Sequence, residues 1–262
     1  MWSERSTDSE YMDRTDFGGE TAAACFRFIE RTNRWLGGYG PVCRLVRREW
    51  RRQGCPSRFR ILDVGAGTGD VARAVLRFCR GRGIPAEVTC LERHGQAAAY
   101  AAAHVTTVDG LHVVCADVRE FRPEDPFHCV TACMFLHHFC DGDVPELLAL
   151  LGELTSGRVL VVDLYRGPLA YWSCRVLTAA APHVLRHDAC LSVRKGFRPA
   201  ELQTLAERIP GARCRTGRTV FQRVWAAVRF PHSSGAPNGT REAANTRADG
   251  AGHEEQRGGF RS

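Results

Sequence analysis

Between Arg60 and Leu164 the chain alternates short apolar runs with amphipathic stretches. The runs Arg60–Val64, Ala86–Leu91, Leu111–Ala116, His128–Cys133 and Arg158–Leu164 each have the length and apolar content of one buried strand. Asp70–Arg80, Gln96–His104 and Pro145–Thr155 instead space their apolar residues at helical intervals. In the last of these, Leu147, Leu148, Leu151 and Leu154 share one face, and Asp143 stands where an N-cap is needed. Strands that alternate with helices in this way predict βαβ units, and hence an α/β domain on a mostly parallel sheet.

The flanks read differently. Residues 1–18 are polar and expected to be disordered. Residues 19–57 hold two helical patterns, with Phe26, Phe28, Ile29, Trp35 and Leu36 as their apolar faces and Gly37-Gly38 as the break between them. The α/β domain is expected over residues 58–229. Within it, residues 167–197 read as an inserted helical cap, and Arg198–Arg208 as a helix with Pro199 in its first turn. Cys214–Val228 carries two alternating runs around Thr216-Gly217, the pattern of a closing antiparallel hairpin. Residues 230–262 lack large apolar side chains almost entirely and are expected to be a disordered tail.

The net charge of +7 rests on arginine, since Lys195 is the only lysine. The densest basic run, Arg44–Arg52, reads as the polar face of a helix. No Lys/Arg cluster interleaved with aromatics marks a nucleic-acid surface, which argues against a nucleic-acid partner. The twelve cysteines form no CxxC pair, so no metal site is expected. Free thiols and the acidic, polar start suggest a cytoplasmic protein. The longest apolar stretch, Leu169–Leu185, carries Arg175 and His183 and makes a poor membrane span.

The most informative segment is Ile61-Leu62-Asp63-Val64-Gly65-Ala66-Gly67-Thr68-Gly69-Asp70. A strand enters a loop with glycine at alternate positions, and a helix follows. Glycines let a ligand approach the backbone without a Cβ in the way, and the helix start offers unpaired N–H groups. A dinucleotide loop needs GxGxxG, but here Gly69 comes one residue early and Asp70 holds the third glycine's place. An acid beside a pyrophosphate is repelled. A nucleoside bearing a sulfonium and an amino acid, with no phosphate, suits the loop better, and the spacing disfavours a nicotinamide oxidoreductase. Glu92 ends the second strand, where a carboxylate accepts from ribose hydroxyls. Asp117 follows the third, where it accepts from an adenine amino group. Each acid has a bland alternative as a cap or a surface charge; together, at the carboxyl ends of their strands, they favour a nucleoside site.

Over residues 58–165 the sequence resembles the class I S-adenosylmethionine-dependent methyltransferases, whose sheet is Rossmann-like. Thr131-Ala132-Cys133-Met134-Phe135-Leu136-His137-His138-Phe139 is similar to a segment of the subgroup acting on quinones and small molecules. The segments Arg186-His187-Asp188 and Phe197–Leu202 look like bacterial methyltransferases of polyketide-type pathways. The resemblance implies S-adenosylmethionine as cofactor, with Asp63 on the loop and amino-acid moiety and the loop Gly65, Ala66, Gly67, Thr68 and Gly69 against the cofactor. It also implies Glu92 on the ribose, Asp117 and Val118 on the adenine, and Cys133 or Met134 at the methionine end. His128 departs from the subgroup, which more often has aspartate there.

Methyl transfer from a sulfonium is an in-line displacement that depends on positioning. An oxygen nucleophile calls for a general base, most often histidine. His138, next to His137 after the fourth strand, and His187, beside Asp188 in the cap, are the candidates. Tyr165, Leu169, Tyr171, Trp172, Val176 and Leu177 are expected to line an apolar pocket for a small phenolic or polyketide-like acceptor, methylated on oxygen or carbon. Packing of the cap on the sheet would account for the same residues. An RNA methyltransferase and a non-catalytic cofactor-binding subunit are the alternatives; the oligomeric state is left open.

Overall fold

A computed structural model of the chain describes residues 2–11, 19–35, 38–105 and 108–231. The expectations for residues 12–18, Leu36, Gly37, the Trp35 side chain and the tail from 232 on lie outside the described residues.

Two helices, α1 (Gly19–Trp35) and α2 (Tyr39–Arg52), precede the sheet. Then follow β1 (Phe59–Val64), α3 (Asp70–Arg80), β2 (Ala86–Glu92), α4 (Gly95–Val105), β3 (Leu111–Cys115), β4 (Phe127–Cys133), α5 (Val144–Glu153) and β5 (Thr155–Leu164). The cap consists of α6 (Pro168–Leu177) and α7 (His183–Lys195); α8 (Pro199–Glu207), β6 (Arg213–Arg218) and β7 (Arg223–Arg229) follow. The strands form one sheet in the order β3-β2-β1-β4-β5-β7-β6, parallel except for β7, which runs antiparallel to β5 and β6. This is the Rossmann-like arrangement with an antiparallel C-terminal hairpin.

Strand periodicity divides the core into two layers. Phe59, Ile61, Cys129, Leu160 and Val162 face Val42, Leu45 and Val46 of α2 and Val75, Leu76 and Cys79 of α3. Leu62, Val64, Val130, Ala132, Val159 and Val161 face Leu147, Leu148 and Leu151 of α5 and Leu202 and Leu205 of α8. The basic run over α2 is its outer face: Arg44, Arg48, Arg51 and Arg52 are exposed, and Glu49 on the inner side is buried and takes Arg158 at 2.8 Å.

Three local expectations need correction. Asp143 makes no side-chain cap to α5; its carboxylate instead accepts from the Cys140 thiol. The hairpin does not turn at Thr216-Gly217. Both belong to β6, and the chain turns at 219–222. A Cβ on Gly217 would sit 2.7 Å from the Trp225 indole, so the glycine makes room for the ring across the strand pair.

Residues 2–11 form the third. They are not loose but lie against the cap and the sheet end. Arg166, wholly buried after β5, donates to the Trp2, Ser3 and Gly196 carbonyls and to both oxygens of Glu201. Arg5 reaches the Lys195, His137 and Phe139 carbonyls and stacks on the Phe197 ring. These anchors are backbone carbonyls, to which composition is blind.

Candidate functional site

Parallel pairing brings the carboxyl ends of β1, β2, β4 and β5 to one edge, and the strand order reverses beside β1. That is where open α/β sheets bind ligands. A cavity of about 980 Å³ lies there.

The glycine loop forms part of its wall. Gly65, Gly67 and Gly69 all have left-handed φ, at 64°, 53° and 70°. Only glycine fits at Gly65, where a Cβ would fall 2.2 Å from the Phe135 ring. At Gly67 a Cβ would meet nothing within 4 Å among the described residues, so the loop leaves open space in front of its backbone. Asp70, in the first turn of α3, locks the loop to the N-terminal helices. It accepts from Asn33 at 3.0 Å and from the Tyr39 hydroxyl at 2.9 Å. Arg73 ties the Thr68 carbonyl to Glu30 in the same way.

The acids named from the sequence converge on this cavity. Asp63, Glu92 and Asp117 all line it, as do Ala66, Thr68, Val118, Cys133 and Met134; Gly69 lies behind, at the start of α3. Glu92 is buried; one oxygen accepts from the Gly67 N–H and the other from the His94 N–H, both at 2.8 Å. Asp117 accepts from the Arg119 N–H at 2.8 Å and is partly open. Asp63 accepts from the Thr131 hydroxyl at 2.6 Å, and its second oxygen is buried without a partner among the described residues. Burial pushes the Asp63 carboxyl up to about 7, with Asp70 and Glu92 adding to the rise and the Thr131 bond opposing it. An orphaned carboxylate oxygen and an open glycine face are what a ligand with a cationic amino group would complete. Met134 adopts φ 54°, a left-handed conformation costly for a side-chain-bearing residue, at the cavity wall.

The histidines separate. His137 and His138 both line the cavity; His187 does not. His187 sits on α7, its ring tilted against Tyr11 and bonded to Asp188. His137 is buried, and its Nδ1 lies 2.7 Å from Asp163, the acid that precedes the last residue of β5. Asp163 also accepts from the His137 and Leu164 N–H groups. Burial alone would raise the Asp163 carboxyl, but His137 and these bonds hold it below the ordinary carboxylate range. An ionised Asp163 fixes the proton on His137 Nδ1 and leaves Nε2 as the basic nitrogen. Nothing in the sequence singled out Asp163, which ends an apolar run.

His137 Nε2 looks toward Glu10, 4.0 Å away. Glu10, His137 and His138 each bring one ligand-type atom within 4.8 Å of the others, a grouping that cysteine and histidine spacing could not announce. Lys195 already stands 3.4 Å from Glu10 and supplies positive charge there.

The apolar lining also differs from expectation. Of the six cap residues expected to face the pocket, Leu169 and Leu177 do; Tyr165, Tyr171, Trp172 and Val176 are not among the lining residues. Tyr165 lies beneath Arg218, Tyr171 packs on Trp2 and Trp172, and Val176 points to solvent. Their places are taken by Phe26, Phe28 and Ile29 of α1, by Leu185 of α7, and by Val220 and Phe221 of the hairpin turn.

Comparison with known proteins agrees with this geometry. Residues 61–172 match the family described as methyltransferase domain. No curated protein matches the chain in sequence. Among solved structures, the plantazolicin methyltransferase BpumL in complex with SAH superposes with a TM-score of 0.57 at 12% identity, over 80% of this chain and 93% of that one. BpumL in complex with a pentazolic desmethylPZN analog and SAH gives a TM-score of 0.55 at 14% identity, over 79% of this chain and 94% of that one.

Proposed function

We propose that the protein transfers a methyl group from S-adenosylmethionine to a small, largely apolar acceptor, on oxygen or carbon, a reading supported by the match of residues 61–172 to the methyltransferase-domain family. The carrying observation is that Asp63, Gly67, Glu92 and Asp117, from three successive strand ends, line one cavity. Asp63 would take the cofactor's amino group, Glu92 its ribose, Asp117 and Val118 its adenine, and Cys133 and Met134 its methionine end. When bound, the cofactor supplies an electrophilic methyl on a sulfonium.

The chain's own contribution is orientation and proton removal. The glycine loop, pinned by Asp70 and Arg73, gives the cofactor one seat. The cap and α1 contribute apolar walls on the acceptor's side and so position it. His137, oriented by Asp163, accepts the acceptor's proton at Nε2, and His138 lies beside it. The Asp163 pairing favours His137 over His138 as the base, and His187 does not itself line the cavity, although its partner Asp188 does. A cavity with the apolar residues Phe26, Ile29, Leu169 and Phe221 in its lining supports a small molecule over RNA. No helix among the described residues is long and apolar enough to cross a membrane. All twelve thiols are free, and we assign the protein to the reducing cytoplasm.

The test is transfer of a labelled methyl from S-adenosylmethionine into small-molecule extracts and into bulk RNA. Label in the small-molecule fraction supports the proposal. Label confined to RNA replaces it with the RNA reading. Cofactor binding without any transfer supports a non-catalytic subunit.

A further inference from the structure

One wall of the cavity ends in a cation that is given no hydrogen-bond or ion-pair partner among the described residues. Arg223 opens β7 opposite Leu164, at the carboxyl end of β5. It lines the cavity and is only 7% exposed. A guanidinium carries five N–H donors and stays charged at any working pH, so a buried one needs acceptors.

Arg166 shows how this chain satisfies a buried arginine. All five of its bonds end on protein oxygens. The Arg223 side chain, by contrast, donates no hydrogen bond and joins no ion pair among the described residues; its backbone bonds Thr219 and pairs with Leu164 in the sheet. The acid whose charge it feels is Asp163, and the oxygens of Asp163 are already taken by His137 and Leu164. The Gln222 side-chain oxygen, next along the chain, is taken by Arg218. The donors of Arg223 therefore have their opening on the cavity.

The position separates this cation from the cofactor half. Along the sheet β7 stands three places from β1, past β4 and β5. Three strand spacings are about 14 Å. The guanidinium is thus set on the acceptor's side, with Leu164, Val220 and Phe221 as apolar neighbours in the lining.

We propose that Arg223 recognises an anionic oxygen group on the methyl acceptor, a carboxylate or an equally acidic ionised hydroxyl carried on an apolar body. The proposal rests on the methyl-transfer reading of the same cavity. A bidentate fork suits a carboxylate, and the burial that makes an unpaired guanidinium costly makes a paired one selective. Neutral analogues of the same shape would leave the donors unpaired.

The probe pair is 2-naphthoate and the neutral 2-naphthamide, titrated calorimetrically into protein saturated with S-adenosylhomocysteine. Naphthoate is expected to bind at least tenfold more tightly. In Arg223→Met the margin disappears while affinity for S-adenosylhomocysteine is unchanged, and Arg223→Lys restores part of it. Circular dichroism of each variant checks the fold. Equal binding of the two probes, binding of neither, survival of the preference in Arg223→Met, or loss of S-adenosylhomocysteine affinity in that variant overturns the proposal. If the wild-type protein binds no S-adenosylhomocysteine, the methyl-transfer reading fails by itself. The same titrations in cofactor-free protein then still decide whether Arg223 selects the anion.

Discussion

His137 follows β4, Asp163 lies near the end of β5, and the two meet at 2.7 Å under the cavity although 26 residues separate them. The acid accepts from both the ring and the backbone N–H of the histidine, so ring and main chain are fixed together. Only parallel pairing of neighbouring strands produces the contact.

From this pair, His137→Ala should lower turnover about 10²–10⁴-fold on an oxygen acceptor, with S-adenosylhomocysteine affinity kept. Asp163→Asn should also lower it, by releasing the tautomer. His138→Ala should retain more activity than His137→Ala, and His187→Ala should retain all of it. Steady-state kinetics on an acceptor found by the labelled-methyl screen checks the ranking. An equal loss in His187→Ala would contradict the assignment.

Gly67→Val should abolish S-adenosylhomocysteine binding in a folded protein. Its Cβ would project into the open space in front of the loop. The left-handed φ of 53° adds a strain of about 1–2 kcal/mol. Calorimetry reads the binding, and a urea melt reads the strain. Undiminished affinity would show that the ligand does not lie against this loop.

Asp63 predicts a pH dependence. Its carboxyl is held up to about 7 in the cofactor-free protein. A cationic amino group beside it favours the ionised form, so binding below pH 7 must expel a proton. Affinity should fall about tenfold for each pH unit below 7 and level off above it. The sign for stability is opposite. A folded-state value raised above the unfolded one stabilises most below the unfolded value, near 3.8, and that contribution is lost as pH rises through about 7. Calorimetry in buffers of different ionisation enthalpy measures the released proton, and Asp63→Asn should remove both the release and the slope. Equal affinity at pH 6 and pH 8 would count against the role.

Much of this was legible from sequence, for identifiable reasons. Every strand of the parallel sheet announced itself as an apolar run, and Gly65–Asp70, Glu92 and Asp117 stand at the strand ends where their spacing put them. What stayed hidden was whatever depends on a partner far along the chain. Asp163 is one acid in an apolar strand, and Arg223 one cation in an alternating one. Glu10 belongs to a polar stretch without periodicity. The sequence pattern ends the helix Pro145–Thr155 at Thr155 and starts the strand at Arg158, but β5 begins at Thr155, which holds the Phe127 carbonyl, while a Cβ on Gly157 would strike the His128 carbonyl. Thr216-Gly217 was misread because a glycine that makes room for Trp225 looks like one that makes a turn.

Arg166→Met should destabilise the protein by about 3–5 kcal/mol, the usual cost of breaking a buried charge pair. Three backbone carbonyls and Glu201 lose their donor at once. Equilibrium urea unfolding measures it. Removal of residues 1–11 should destabilise in the same direction, because it takes away two of those carbonyls and the Arg5 contacts.

The docking of residues 2–11 also sets an order of events during synthesis. Trp2 and Ser3 bond Arg166 and Arg198 across separations of 163 to 196 residues. The ribosome makes these residues before any of their partners exists, and closing loops of that length is entropically the most demanding step in the chain. They must wait unplaced until α8 has emerged. The Glu10 side of the cavity, carried by the same segment, thus takes its place only after Lys195 and Arg198 have been made.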